Sequence, residues 1–179
     1  MTSIHDILAF LRKESLTETE KGTRFEHLMV AWLKTTPTYA NLFEAVWLWN
    51  DFPARDQLGG RDTGIDIVAK THTGDYWAVQ CKCYAATTLI DKPVVDTFIS
   101  TSGRSFTDPT TGKATRFVHR LWISTTTHWG REAENAIQDQ NPAVTRVQLA
   151  DLVGSPVDWD KLWNGVEGKE ARTAKKELR

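Results

Sequence analysis

The sequence predicts an α/β domain in which helices flank a mixed β-sheet. Three segments lead to this prediction. A helix over 21–34 has one apolar face, two β-rich runs at 64–70 and 75–84 are separated by a short polar turn, and a strand–helix–strand succession spans 117–149. The hairpin gives an antiparallel pair and the strand–helix–strand unit gives a parallel pair, so the sheet is expected to be mixed.

Length and composition are typical of a single globular domain. The chain has 179 residues, of which 40% are hydrophobic and 25% charged. No run approaches the roughly 18 apolar residues of a membrane span, and the charged N-terminus does not resemble a secretory signal, so a cytoplasmic location is expected. A net charge of -1 is not the basic signature of a non-specific nucleic-acid binder, but a metal-dependent nuclease also needs acidic ligands.

The N-terminal elements follow from periodicity and turn residues. A short helix is predicted over 4–13, and the helix over 21–34 ends before Pro37. A strand is predicted over 42–49, followed by a loop over 50–63 that is rich in Pro, Gly and Asp. The apolar face of the second helix comprises Phe25, Leu28, Met29, Trp32 and Leu33.

The C-terminal elements are predicted in the same way. They are a helix at 93–101, a polar loop at 102–115, a strand at 117–124, a helix at 129–140 and a strand at 144–149. A last helical turn is expected within 150–166, where Trp159, Leu162 and Trp163 can pack. Residues 1–166 are therefore taken as the domain, and the charged residues 167–179 as a linker or the start of another element.

The hairpin places polar side chains together. Side chains alternate faces along a strand, so Gln80 and Lys82 share one face while Cys81 and Cys83, expected as buried free thiols, take the other. A two-residue turn would pair Asp66 with Cys81. A three-residue loop over 72–74, with its last glycine left-handed, pairs Asp66 with Gln80 instead.

These residues suggest metal chemistry on a phosphate. A carboxylate and an amide oxygen can hold a hard cation such as Mg²⁺, and a neighbouring lysine can stabilise charge building on a phosphate. Glu26 is the candidate for a second acid, because it lies at the edge of the apolar stripe of its helix. The alternative is that Glu26 is a half-exposed surface carboxylate.

Several motifs resemble the Mrr-type restriction endonucleases of the PD-(D/E)XK superfamily. They are Phe25-Glu26 in a helix, the run from Gly60 to Asp66 (GRDTGID), Val79-Gln80-Cys81-Lys82 and the run 117–137. Segments around 20–39 and 49–66 resemble more closely the nuclease domains that open the single-chain Type ISP restriction-modification enzymes. The resemblance covers roughly residues 20 to 150 and implies a restriction-endonuclease-like fold.

The resemblance also implies a role for each site residue. Asp66 would be the central metal ligand, Gln80 would stand where the superfamily more often has an acid, Lys82 would be the catalytic lysine and Glu26 would complete the metal site. The expected enzyme is a bacterial, cytoplasmic DNA endonuclease that uses Mg²⁺, with Mn²⁺ as a substitute. Its substrate would be double-stranded DNA, and two copies would pair transiently for cleavage.

The resemblance further implies that sequence choice lies elsewhere. Helicase-like, methyltransferase and target-recognition domains would belong to the same natural polypeptide, since no element here reads as a major-groove helix. Two alternatives remain: a stand-alone Mrr-like or junction-type nuclease, and a catalytically silent docking module. Whether the natural gene continues past Arg179 discriminates the first, and metal binding discriminates the second.

Weaker signals allow two interpretations each. The run 124–128 (STTTH) can cap the following helix or contact a DNA phosphate. Asp62 can assist at the site or fix a turn. The basic residues around 102–120, which are Arg104, Lys113, Arg116 and Arg120, can hold the DNA backbone or form a solvated face. Core positions are expected for Trp32, Trp77 and Trp122, whereas Trp47, Trp49 and Trp129 can stack on bases or on a partner domain.

Overall fold

A computed structural model describes residues 2–14, 17–60 and 63–177, with side chains as far as Gly168. The helices are α1 Ile4–Glu14, α2 Glu18–Thr35, α3 Pro37–Ala40, α4 Lys92–Ser102, α5 Arg131–Ile137, α6 Leu149–Val153 and α7 Trp159–Glu177. The strands are β1 Phe43–Leu48, β2 Ile67–Thr71, β3 Tyr76–Lys82, β4 Ser105–Thr107, β5 Ala114–Ser124 and β6 Val144–Val147. Two short 3₁₀ turns, Trp49–Asp51 and Arg55–Leu58, lie between β1 and β2.

The six strands form one mixed sheet, as the sequence predicts. Strands β1, β2 and β3 are antiparallel neighbours, and β3 pairs in parallel with β5. The long strand β5 pairs antiparallel with β4 at its beginning and in parallel with β6 at its end. Strand β5, helix α5 and strand β6 therefore form the predicted βαβ unit, with its two strands paired in parallel.

Each face of the sheet carries its own apolar core, because alternate side chains point to opposite sides. One core joins the sheet to α1, α2, α6 and α7, and β2 and β3 contribute Ile67, Ala69, Val79 and Cys81 to it. The other core joins the sheet to α4 and α5, and the same strands contribute Val68, Tyr76 and Ala78 to it. The sheet is thus the middle layer of a helix–sheet–helix sandwich.

The amphipathic pattern of α2 is confirmed. Its predicted apolar residues Phe25, Leu28, Met29, Trp32 and Leu33 are all buried. The helix begins earlier than predicted, because Thr17 is its N-cap and accepts a hydrogen bond from the Glu20 N–H. Pro37 does not simply end the helix, since it also begins the short helix α3.

Three predictions at the level of elements are wrong. The segment 102–115 is not a continuous loop, because it contains β4 and the start of β5. The predicted strand over 144–149 ends at Val147, and α6 follows directly from Leu149 with Gln148 as its N-cap. Helix α5 starts at Arg131 with Gly130 as its N-cap, so the run 124–128 does not cap it.

The C-terminal region is a helix over most of its length. Helix α7 runs from Trp159 to Glu177, so the expected division at residue 166 falls inside one continuous helix. Trp159, Leu162 and Trp163 are buried against the first core, as expected. The division into a domain over 1–166 and a linker over 167–179 stays a prediction. Among the described residues, no helix is long and apolar enough to cross a membrane.

Candidate active site

The hairpin between β2 and β3 has the register that a three-residue loop predicts. Ile67 pairs with Val79, and the loop has three residues, since the Thr71 N–H donates to the Asp75 carbonyl at 2.8 Å. Gly74 has a φ of 91°, the left-handed conformation that this loop requires of its last residue. The prediction of the register from the turn is therefore confirmed.

Asp66 lies at the point where this strand pair ends. Its backbone N–H donates to the Val79 carbonyl, and its carbonyl accepts from the Trp49 N–H. The next hydrogen bond from β3 goes to the side chain of Asp66, since the Cys81 N–H donates to Asp66 Oδ2 at 2.8 Å. The carboxylate is thus held between two strands, with its other oxygen available to a second partner.

A glycine brings the segment before Asp66 close to α4. Gly64 has a φ of 76°, and a Cβ at this position would lie only 2.9 Å from the backbone nitrogen of Phe98. A larger residue would be strained twice, by its backbone conformation and by this contact. Gly64 therefore allows the chain to pass close to α4, and Asp66 then lies immediately before β2.

Helix α2 supplies the second acid. Glu26 follows the buried Phe25 on the face that packs against the sheet, and its side chain is partly buried. The Glu26 carboxyl group lies close enough to that of Asp66 for each group to shift the pKa of the other. Glu26 is therefore not a surface carboxylate, and the structure brings together the two acids that lie forty residues apart in the sequence.

The carboxyl groups of Glu26 and Asp66 repel each other when both are charged. Desolvation and the nearby Asp66 carboxyl group together raise the pKa of Glu26 from 4.5 to about 8, against the opposing effect of Lys82. Desolvation also raises the pKa of Asp66, although the Cys81 N–H, Lys82 and Glu26 act in the opposite direction. At neutral pH the pair therefore keeps one proton, which the raised pKa of Glu26 assigns to Glu26.

Gln80 and Lys82 lie next to this pair on β3. Gln80 is 1% exposed, its Nε2 donates weakly to the Cys81 carbonyl at 3.4 Å, and its Oε1 is buried with no hydrogen-bond partner. A buried acceptor without a donor costs free energy unless something else satisfies it. Lys82 is partly buried, and its charge lowers the pKa of both acids, so its ammonium group faces the same site.

The acid pair opens into a cleft of about 390 Å³. It is bounded by α2, the first 3₁₀ turn and the segment before β2, and its polar lining comprises Thr19, Thr23, His27, Asn50 and Thr63. A larger, mostly apolar groove of about 540 Å³ shares His27 and Leu48 with the cleft but contains neither acid. Of these two, the smaller cleft is the better candidate for the chemistry, because Glu26 and Asp66 line it.

The donor set fits a hard divalent cation. Two carboxylates that repel each other and a buried amide oxygen without a partner are the oxygen ligands that Mg²⁺ takes in proteins. Among the described residues, no cluster of three or more His, Cys, Asp and Glu side chains forms a metal site. Glu26, Asp66 and the Gln80 amide are the described residues that could hold a cation here.

The weaker sequence signals find structural explanations. Arg120 is 2% exposed and donates to the carbonyls of Pro142 and Ile99, so it belongs to neither a solvated face nor a DNA-binding loop. Lys113 immediately precedes β5, and Arg116 lies near the start of this strand. Lys82 pairs with Ser124 at the other end of β5, so both basic residues lie far along the strand from Lys82. Asp62 lies outside the described residues.

The aromatic and cysteine predictions are largely confirmed. Trp32 and Trp122 are buried and Trp77 packs against the first core, while Cys81 and Cys83 are buried free thiols. Trp49 is also buried, so it is not available for stacking on bases. Trp129 packs on Trp122 and lies beneath the guanidinium group of Arg146, 4.8 Å from its carbon atom, so its ring faces are already in contact with the protein.

The fold and this hairpin site define a nuclease of the restriction type, and a comparison of families agrees. A family model described as a restriction endonuclease, of the Mrr group, matches residues 34–169. This is well over half of the chain, which therefore belongs to the restriction endonuclease family. The matched range includes Asp66, Gln80 and Lys82, whereas Glu26 precedes it.

A solved structure extends the likeness to nearly the whole chain. The chain is similar to LlaBIII, an ATP-dependent Type ISP restriction-modification enzyme bound to DNA, with 25% sequence identity and a TM-score of 0.64. The match covers 90% of this chain but 9% of that one, so the chain spans less than a tenth of that enzyme's length. No curated protein matches the chain. The predicted resemblance to Mrr-type and Type ISP enzymes is confirmed.

Proposed function

We propose that this nuclease module hydrolyses phosphodiester bonds of double-stranded DNA with Mg²⁺ held by Glu26, Asp66 and Gln80. One observation carries the proposal. The carboxyl groups of Glu26 and Asp66 lie close together and have raised pKa values, and the adjoining strand β3 carries the partnerless buried oxygen of Gln80. Such a site is costly without a cation and is typical of function rather than of fold stabilisation.

Each residue has a distinct part in the proposed reaction. Asp66, fixed by the Cys81 N–H, presents one oxygen to the cation, and Glu26 completes the acidic pair from α2. Gln80 contributes a neutral oxygen, which orients the cation without adding a third negative charge. Lys82 places its ammonium group where negative charge builds on the phosphate, and so stabilises the transition state more than the ground state.

The reaction adds one water molecule across a phosphorus–oxygen bond. The water oxygen bonds to phosphorus, the bond to the sugar oxygen breaks, and that oxygen leaves with a proton. Mg²⁺, when bound, supplies the positive charge that offsets both carboxylates and the charge developing on the phosphate. Mn²⁺ has similar oxygen preferences and is expected to substitute.

The chain is proposed to act as the cleavage module of a larger, translocating restriction-modification enzyme. The match to less than a tenth of a Type ISP enzyme supports this context. Sequence recognition would then lie in other domains of the natural polypeptide, together with a helicase-like translocase and a methyltransferase. Cleavage would be licensed by translocation or by the meeting of two copies, and a cytoplasmic, bacterial setting is expected.

Nicking of supercoiled plasmid tests the proposal. The wild-type chain is incubated at high protein concentration with Mg²⁺, Mn²⁺ or EDTA, beside Asp66→Ala and Lys82→Ala. The expected result is metal-dependent nicking that both substitutions reduce by at least about 100-fold, because each removes charge from the reacting centre. Asp75→Ala is the matched control, since Asp75 is an exposed acid at the opposite end of the same hairpin.

A second measurement distinguishes a protein that binds metal but does not nick DNA from one that has no metal site. The Mg²⁺-induced rise in Tm reports metal binding without any turnover. Wild-type protein that gains stability with Mg²⁺ but does not nick would be assayed again in the full natural polypeptide. Nicking that survives both substitutions, or a Tm that ignores Mg²⁺ in wild type, would contradict the assignment of these residues.

A further inference from the structure

The turn that follows β5 lies directly against the end of β3. The parallel ladder between these strands ends where Lys82 pairs with Ser124, and β5 then turns away through Thr125 and Thr126. Both threonines are almost completely buried, with 2% and 1% exposure. Their hydroxyl groups therefore need partners within the protein.

The partners of Thr125 are the backbone groups on either side of Cys83. The Thr125 N–H donates to the Lys82 carbonyl at 3.1 Å. The Thr125 hydroxyl accepts from the Tyr84 N–H at 2.8 Å and donates to the Tyr84 carbonyl at 2.6 Å. The Thr125 side chain thus bonds to the backbone that follows β3, beyond the point where the ladder between β3 and β5 ends.

Other contacts hold the same stretch. Arg12 of α1 donates from Nη2 to the Tyr84 carbonyl at 2.8 Å, and Thr126 donates to the carbonyls of Ala86 and Thr88 at 3.2 and 2.9 Å. On the preceding side of Lys82, the Cys81 N–H is fixed by the Asp66 carboxylate. The backbone of Lys82 is therefore restrained from both directions, and Thr125 supplies most of the restraint on its C-terminal side.

We propose that Thr125 is a positioning residue that aims the Lys82 ammonium group at the candidate active site by fixing the backbone from Lys82 to Tyr84. This inference rests on the proposed function. A lysine side chain has four rotatable bonds, so a small change at its backbone displaces the ammonium group substantially. Misplacement of a charged group by about 1 Å can cost about 100-fold in rate.

Three substitutions test the role of the hydroxyl. Thr125→Val keeps the shape of the side chain and removes both hydrogen bonds to Tyr84, whereas Thr125→Ser keeps the hydroxyl. Thr38→Val is the control, because Thr38 is an exposed threonine on α3, outside the candidate site and the turn. The rate of plasmid nicking at saturating protein is measured with the affinity for DNA and the Mg²⁺-induced rise in Tm.

The expected result is a loss of rate without a loss of binding. Thr125→Val should nick about 10- to 100-fold more slowly, the range for removal of a supporting hydrogen bond around a metal site. Its DNA affinity and its response to Mg²⁺ should stay within about twofold of wild type. Thr125→Ser should recover most of the rate, and Thr38→Val should match wild type.

Hydrogen exchange at the Tyr84 amide shows directly whether the restraint has been lost. Faster exchange in Thr125→Val with an unchanged nicking rate would overturn the proposal, because the turn would then serve the fold alone. Equal loss of rate in the valine and serine variants would overturn it too. If Thr125→Val does not fold, Thr125→Ala and Thr125→Ser are compared by the same measurements. Wild-type protein that never nicks, even within the full polypeptide, would contradict the proposed function rather than this residue.

Discussion

Replacing Glu26 by glutamine should stabilise the metal-free protein at alkaline pH and weaken its response to Mg²⁺. The pKa of Glu26 is raised from 4.5 to about 8 in the folded state. Between these two values the folded state binds a proton that the unfolded state has released, so the free energy of unfolding falls as pH rises. Glutamine keeps a donor to Asp66 but has no charge to bury.

The magnitude follows from the same pKa values. A rise from 4.5 to about 8 corresponds to at most about 5 kcal/mol at 1.36 kcal/mol per pH unit. Glu26 is partly exposed and solvent screens its charge, so the measurable effect is expected to be about 1–2 kcal/mol. For a chain of this size that is a change in Tm of about 2–8 °C.

Thermal unfolding in EDTA between pH 5.5 and 8.5 measures this effect. The difference in Tm between Glu26→Gln and wild type should grow with pH over that range, in favour of the variant. Addition of Mg²⁺ at pH 8.5 should raise the Tm of wild type more than that of the variant, since the variant has lost a ligand. Glu132→Gln, at an exposed position on α5, is the control and should follow wild type within about 0.5 kcal/mol. A difference that does not change with pH, or that favours wild type at pH 8.5, would refute the electrostatic argument.

Three further substitutions test other parts of the structure. Gln80→Glu should strengthen Mg²⁺ binding but lower the Tm in EDTA, since it buries a third carboxylate at a position 1% exposed; a higher Tm in EDTA would contradict this. Gly64→Ala should destabilise by more than about 2 kcal/mol in urea unfolding, because its Cβ would meet the backbone of Phe98 at 2.9 Å; a neutral effect would show that α4 can move. Arg120→Leu should cost about 2–4 kcal/mol in the same assay, because the Pro142 and Ile99 carbonyls lose their buried donor, and unchanged stability would mean that water replaces it.

The hairpin half of the site could be predicted because its geometry is local. Strand alternation puts Gln80 and Lys82 on one face, and the length of the loop over 72–74 fixes which residue lies opposite. Both rules act over a few residues, so they hold without knowledge of the rest of the fold. The observed pairing of Ile67 with Val79 confirms the register that the three-residue loop predicts.

The position of Glu26 beside Asp66 could not be predicted from local sequence rules. Helical periodicity places it at the edge of an apolar stripe, and at such a position a half-exposed surface carboxylate is the simpler interpretation. Its contact with Asp66 arises only when α2 packs across the end of the hairpin, a tertiary event that no helical pattern encodes. The family resemblance, rather than periodicity, is what suggests a role for Glu26 at the site.

The contacts of the turn after β5 could not be predicted from the sequence for a related reason. A run of threonines before a helix is typical of an N-cap, yet Gly130 caps α5 and the threonines bond to a segment about forty residues earlier in the chain. The short strand β4 was missed because Ser105 and Thr107 are exposed and polar, and only Phe106 is buried. In both cases the structure depends on a partner strand that is distant in sequence.

The choice of an amide at position 80 can be understood from the same electrostatics. The pair of acids at this site already keeps one proton, and Lys82 only partly offsets their charge. A third acid, buried as deeply as Gln80, would strengthen the hold on a cation but would add repulsion whenever the cation is absent. Glutamine keeps the oxygen and omits the charge, so the metal-free fold tolerates the site. In the proposed larger enzyme, where other domains would license cutting, weaker metal binding would suffice, because bound DNA would bring its own phosphate oxygens to the cation.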